Sequence, residues 1–187
     1  MVNLEYDFME ISVESLKEIE LFSELDDDEL EKLIQTSRKI RYPKNKVIFK
    51  EGEKGETVYI IISGQVKVYR KIDGNNELVL HLLGEGNFFG EMSLFDRRTR
   101  SASVAAIDEC EFLEIKRNDY LSIIRNSPHT AISILKELSH RIRKDDDYLK
   151  SVNVFSEDDD TKLKVGGIFE TMLEIINEAM IARNDYA

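Results

Sequence analysis

The chain is poor in cysteine, histidine and positive charge, and each shortage removes a class of function. A single cysteine, Cys110, cannot close an internal disulfide, and its place in a strand-like run marks a small buried side chain, not a reactive thiol. His81, His129 and His140 stand far apart, so neither a metal-ligand spacing nor a Ser/His/Asp triad can be assembled from them. No metal is expected, and no nucleophile and base pair points to an enzyme. Apolar runs fall well short of the roughly 20 residues that span a membrane. The acidic start from Met1 to Glu10 lacks the basic and apolar regions of a signal peptide, so a soluble cytoplasmic protein is expected. Against 37 Asp and Glu there are only 26 Lys and Arg, a net charge of −11, which disfavours wrapping a polyanion such as DNA unless basic residues cluster. The one visible cluster is His140 to Lys144.

With 187 residues, 42% of them hydrophobic, the chain can bury one main core and carry flanking helices. Residues 1–36 read as N-terminal helices: Leu16, Ile19 and Leu21 come first, then Asp26-Asp27-Asp28, whose carboxylates suit the start of a helix carrying Leu30, Leu33 and Ile34. From Ile40 to Ile115 the pattern turns to short β-rich runs: Val47 to Phe49, Thr57 to Ile62, Val66 to Tyr69, Leu78 to Leu83, Ala102 to Ile107 and Glu111 to Ile115. Pro43, Gly52, Gly55, Gly64, Asp73-Gly74, Gly84 and Gly86 mark turns between them, a spacing that suggests a small antiparallel barrel or roll. Helical periodicity returns after Arg117, and a long helix is predicted from Pro128 toward Val152. Ala131, Leu135, Leu138, Ile142, Asp145, Leu149 and Val152 follow alternating steps of four and three, a coiled-coil seam; packing on the chain's own strands is the alternative.

The densest chemistry lies in Phe88 to Val104. Gly90 permits a tight turn and close approach of a ligand, and a short helix beginning there would aim free amides at an anion. Arg100 can fork onto two phosphate oxygens, and Ser101 adds a hydroxyl. Glu91 repels a phosphate but suits a ribose hydroxyl, which makes the set fit a phosphorylated ribose. The plainer alternative is that Glu91 and Arg100 form only an ion pair that ties the helix to the next strand.

Phe89-Gly90-Glu91, Leu94 and Arg100-Ser101-Ala102-Ser103-Val104 closely resemble the phosphate-binding cassette of the cyclic-nucleotide-binding domain family. The likeness extends through Ile48 to Glu56, Tyr59 to Tyr69, Cys110 to Ile115 and Ser127-Pro128, roughly residues 20–150. Thr99 departs from it, since many relatives have proline there. The resemblance implies an α+β fold: an antiparallel, jelly-roll-like β-roll with flanking helices and a long C-terminal dimerisation helix. Together with the residue pattern it divides the chain into N-terminal helices (1–36), the β-roll with its long helix (37–152), and an acidic linker with an amphipathic helix (153–187). It implies a binding site at Phe89, Gly90, Glu91, Met92, Ser93, Arg100, Ser101 and Ala102. Glu91 would take the ribose 2′-hydroxyl and Arg100 the cyclic phosphate.

Aligned on Pro128, Asp145 and Asp146 fall where catabolite-activator relatives contact the base, and a carboxylate there can accept from adenine or guanine. cAMP is the expected ligand and cGMP the alternative, with a homodimer through the long helix. In place of a helix-turn-helix, the residues after Val152 begin with Ser156 to Asp160 and end in a helix with Ile168, Phe169, Met172, Leu173, Ile176, Ala179 and Met180 on one side. From Asn153 onward three basic residues face eight acidic ones, net −5, the wrong sign for tracking phosphates. The sequence therefore predicts a stand-alone sensor that is not itself a transcription factor, with the last helix covered by its own domain or docking an effector. The rivals are an interaction protein with a degenerate pocket and a DNA-binding regulator with an unrecognised output element.

Overall fold

The computed structural model describes residues 11–72 and 76–151, with side chains through Lys144. Helix α1 (Val13–Lys17) is followed by a short 3₁₀ turn (Glu20–Phe22) and α2 (Asp27–Thr36). The acidic triplet is a helix start, as its charge predicts. Asp26 caps α2 by accepting from the Glu29 amide at 2.8 Å, and the Glu29 carboxylate accepts the Asp26 amide at 3.2 Å.

Eight strands follow: β1 (Arg38–Tyr42), β2 (Val47–Phe49), β3 (Thr57–Ser63), β4 (Val66–Lys71), β5 (Glu77–Leu83), β6 (Phe88–Phe89), β7 (Ser103–Ala106) and β8 (Cys110–Lys116). They form two antiparallel four-stranded sheets, ordered β1-β8-β3-β6 and β2-β7-β4-β5. The cassette helix α3 (Met92–Asp96) interrupts the strands, and α4 (Arg117–Asn126) and α5 (Pro128–Ser151) close the described chain. The fold is the α+β β-roll that the sequence predicts. Two strands escaped the sequence reading for a simple reason. Of the five residues in β1 only Ile40 and Tyr42 carry an apolar body, and β6 is two residues long.

The sheet containing β3 is buried on both faces, which explains the unbroken apolar run Val58 to Ile62. Val58 and Ile60 of β3, with Leu113 and Ile115 of β8, join a core that includes Leu16, Phe22 and Leu30 of the N-terminal elements and Tyr120, Ile124 and Ile134 of the last helices. Tyr59, Ile61 and Phe112 alternate to the opposite side and meet Phe49, Val66, Phe89 and Val104 between the sheets. Tyr59 stacks on Phe89 at 5.1 Å and donates to Glu114 Oε1 at 2.8 Å; burial pushes its phenol up to about 12. Cys110 is buried in this second core, as expected of a small apolar side chain.

Helix α5 departs from the predicted seam. Ala131 and Leu138 are buried in the chain's own core beside Ile134, and the half-buried Leu135 packs against the same core, so most of the described part of the four-three pattern serves the monomer. The apolar residues left on its open side are Ile132, which is 48% exposed, and the half-buried Ile142. Asp145, Asp146 and Leu149 lie on the helix, but their side chains fall outside the described residues, as do Val152, the acidic linker and the last predicted helix.

Candidate functional site

A cavity of about 860 Å³ opens between the β4–β5 edge, the cassette and α5. All eight cassette residues singled out from the sequence, Phe89 to Ser93 and Arg100 to Ala102, line it. Leu78 to Leu83 of β5 supply an apolar wall, and Leu135, Leu138, Arg141 and Ile142 close it from the helix. A second cavity, about 950 Å³, lies among the N-terminal elements, the β5–β6 turn and α5, and contains none of those eight residues.

Arg100 is the anchor. It is 4% exposed, yet it has no carboxylate within ion-pair distance among the described residues. Its Nη1 donates to Gly90 O at 2.7 Å, Thr57 O at 2.9 Å and Ser93 Oγ at 3.0 Å, and Nη2 donates to Thr57 Oγ1 at 3.2 Å. Nε is buried without a partner. The guanidinium carbon lies 4.2 Å from the centre of the Phe49 ring. Burial lowers the pKa, opposed by the negative potential of Tyr59 and Glu91, but a guanidinium keeps its charge in proteins. The result is a buried cation held by neutral oxygens, an arrangement that favours an incoming anion.

Two glycines make room for it. A Cβ on Gly55 would sit 2.2 Å from Arg100 Nε, and one on Gly90 would sit 2.7 Å from Nη1 and 3.1 Å from Thr57 O. Gly90 also adopts φ +87°, so it forms the turn that leads into α3, which begins at Met92 and not at Gly90 itself. Glu91 occupies the N-cap position without capping by its side chain, so the carboxylate is free for other work and the first amides of α3 have no side-chain partner.

Glu91 does not pair with Arg100, contrary to the plainer sequence alternative. Its carboxylate, 4% exposed, faces Arg141 of α5, with Oε1 3.6 Å from Nη1. Arg141 also donates from Nη2 to Phe88 O at 2.8 Å, packs its guanidinium 4.8 Å from the Phe88 ring centre, and is fixed by Glu137 at 2.8 Å. One side chain thus ties the long helix to the cassette. In the sequence Arg141 is only one member of the basic cluster, and no local spacing distinguishes it from Arg143. Arg70 was likewise not foreseen: it lines the cavity and its Nε donates to Ser101 O at 3.1 Å. Ser101 Oγ lies 3.3 Å from Met92 Sδ, and Ser93 Oγ is within 3.2 Å of both Gly55 O and Gly90 O.

The cavity therefore offers a buried cation, an acceptor beside it, and an apolar wall large enough for a base. The chain is similar to several known proteins. The Cyclic AMP receptor protein of Thermus thermophilus is 39% identical over 126 residues, covering 67% of this chain and 58% of that protein. The CRP-like cAMP-activated global transcriptional regulator of Mycobacterium tuberculosis is 31% identical over 124 residues, covering 66% and 55%. This chain thus matches little more than half the length of these curated relatives. The crystal structure of Thermus thermophilus Catabolite Activator Protein superposes with a TM-score of 0.61 at 29% identity, covering 87% of both chains. The model of the Cyclic nucleotide-binding domain matches residues 39–127, from β1 through α4, and through that domain the chain belongs to the cyclic nucleotide-binding family.

Proposed function

We propose that this chain is a cytoplasmic sensor, a binding module and not an enzyme, that takes cAMP by preference and cGMP as the alternative. The observation that carries the reading is the buried Arg100 guanidinium, which lines the cavity and has no carboxylate within ion-pair distance among the described residues. In this reading the cyclic phosphate meets Arg100 and the first amides of α3, and the ribose 2′-hydroxyl donates to Glu91. The base lies against β5 and Leu135; Asp145 and Asp146, the base contacts that the resemblance implies, have side chains outside the described residues. Because Glu91 is joined to Arg141, a ligand that engages Glu91 changes the position of α5, and that movement is the output. The preference for cAMP comes from the relatives' names. A thermal-shift panel tests the reading: cAMP or cGMP should raise the melting temperature by several degrees at concentrations where linear AMP and GMP do not. Equal shifts with the linear nucleotides, or none with either cyclic one, would remove it.

The same reading includes a homodimer. Ile132 on α5, 48% exposed and outside the cavity lining, is an apolar side chain that a second copy would cover. Sedimentation should give twice the 21.7 kDa chain mass, and Ile132→Asp should shift the protein toward monomer; a monomeric unaltered chain sinks this part alone.

A second reading is favoured by the name of the Mycobacterium tuberculosis relative, a transcriptional regulator, and makes DNA the eventual target. A nucleotide-dependent gel shift at low salt would support it over an effector protein docking at the last helix.

A further inference from the structure

Among the described residues Tyr120 has the largest fully buried side chain, and its hydroxyl has no hydrogen-bond partner. A phenylalanine would fill the same space without stranding a polar atom, so the hydroxyl calls for an explanation. Its surroundings supply one. Tyr120 stands on α4 directly against the cassette helix, its ring 6.2 Å from that of Phe95, and α4 is fastened there by Arg117 Nε donating to Leu94 O at 2.8 Å. Glu91 stands one helical turn before Phe95 on the side of the cassette helix that Tyr120 meets; burial first, and then the charge of Glu91, raise the phenol's pKa, opposed by Arg141.

Glu91 is deficient in the complementary sense. Its buried carboxylate accepts no hydrogen bond from the described residues, and the only cation paired with it stands at 3.6 Å. A donor without an acceptor and an acceptor without a donor therefore flank one five-residue helix. A ligand would act on the start of that helix, because Arg100 Nη1 holds the Gly90 carbonyl and a phosphate competes for the same guanidinium.

We infer that Tyr120 is a positioning residue for the nucleotide site: in the liganded protein its hydroxyl donates to one oxygen of Glu91 and leaves the other oriented toward the ribose 2′-hydroxyl. This rests on the proposed reading of the cavity as a cyclic-nucleotide site. Tyr120 does not line the cavity, so it acts through Glu91 and not on the ligand.

The test is Tyr120→Phe in the full chain, titrated calorimetrically with cAMP and cGMP and with their 2′-deoxy counterparts. The variant should bind the preferred ribonucleotide about tenfold more weakly, bind the 2′-deoxy analogue unchanged, and melt no lower than the unaltered protein when free. Equal weakening of both nucleotides would mean a merely structural role and overturn the inference. So would an unchanged preference for the 2′-hydroxyl, or a lower melting temperature in the free protein, which would mean that the hydroxyl is already satisfied. If the unaltered chain binds no cyclic nucleotide, the functional reading fails and this inference falls with it. Binding by the unaltered chain with discrimination preserved in the variant removes only the role of Tyr120.

Discussion

Arg100→Ala is expected to abolish measurable cyclic-nucleotide binding in a protein that still folds. The guanidinium is the one buried positive charge of the cavity that no carboxylate neutralises among the described residues, and its removal leaves a desolvated phosphate with neutral donors alone. Truncating one member of a buried charge pair costs about 2–5 kcal/mol, which corresponds to roughly 30-fold to several thousandfold in affinity. Arg100→Lys should fall between, because an ammonium keeps the charge but cannot reproduce the fork that reaches Thr57, Gly90 and Ser93 together. Calorimetric titration alongside a circular-dichroism melt separates the two causes of a lost signal. Unchanged affinity in a folded Arg100→Ala variant would mean that the phosphate binds elsewhere.

The largest effect on stability is expected from Gly64→Ala, in the tight connection between β3 and β4. Gly64 has φ +86°, and a Cβ there would lie 2.4 Å from the Glu109 carbonyl oxygen and 2.7 Å from Cys110 Sγ. The left-handed conformation costs an alanine about 1–2 kcal/mol, and the clash with backbone adds about 1–3 kcal/mol because a carbonyl cannot rotate away as a side-chain tip can. A fall of about 10 °C in melting temperature follows for a chain of this size. Gly84→Ala is the matched control. It has open space around the added methyl and no positive φ, so it should change stability by less than about 1 kcal/mol. Equal melting temperatures for the two variants would show that the turn relaxes at little cost.

Legibility differed sharply between parts of the chain. Strands β2, β3, β4, β5, β7 and β8 were readable because their apolar residues are consecutive or alternating. The start of α2 was readable because a capping box is a four-residue signal. The cassette could be recognised for a related reason: Gly90, Glu91, Arg100 and Ser101 lie within twelve consecutive positions. The division of α5 was hidden. A four-three repeat reads the same whether a second helix or the chain's own sheet covers it, and here Ala131 and Leu138 turn inward while Ile132 turns out. Arg141 and Gly55 were also hidden as parts of the site, because nothing near them in sequence reveals what they touch.

The sequence by itself determined the order of elements and a small antiparallel barrel or roll, and its resemblance to a known family added the β-roll and the candidate cassette, since each depends on residues close along the chain. Only the tertiary structure decided how that stretch is held. Arg100 is oriented by Thr57, 43 residues away, and is given room by Gly55, while the Phe88 carbonyl is bonded to Arg141 across 53 residues of sequence. Such partners are chosen by packing and not by local propensity. The cation and the carboxylate that look like partners ten residues apart therefore fold into separate roles, Arg100 toward the cavity and Glu91 toward the helix that would carry the signal.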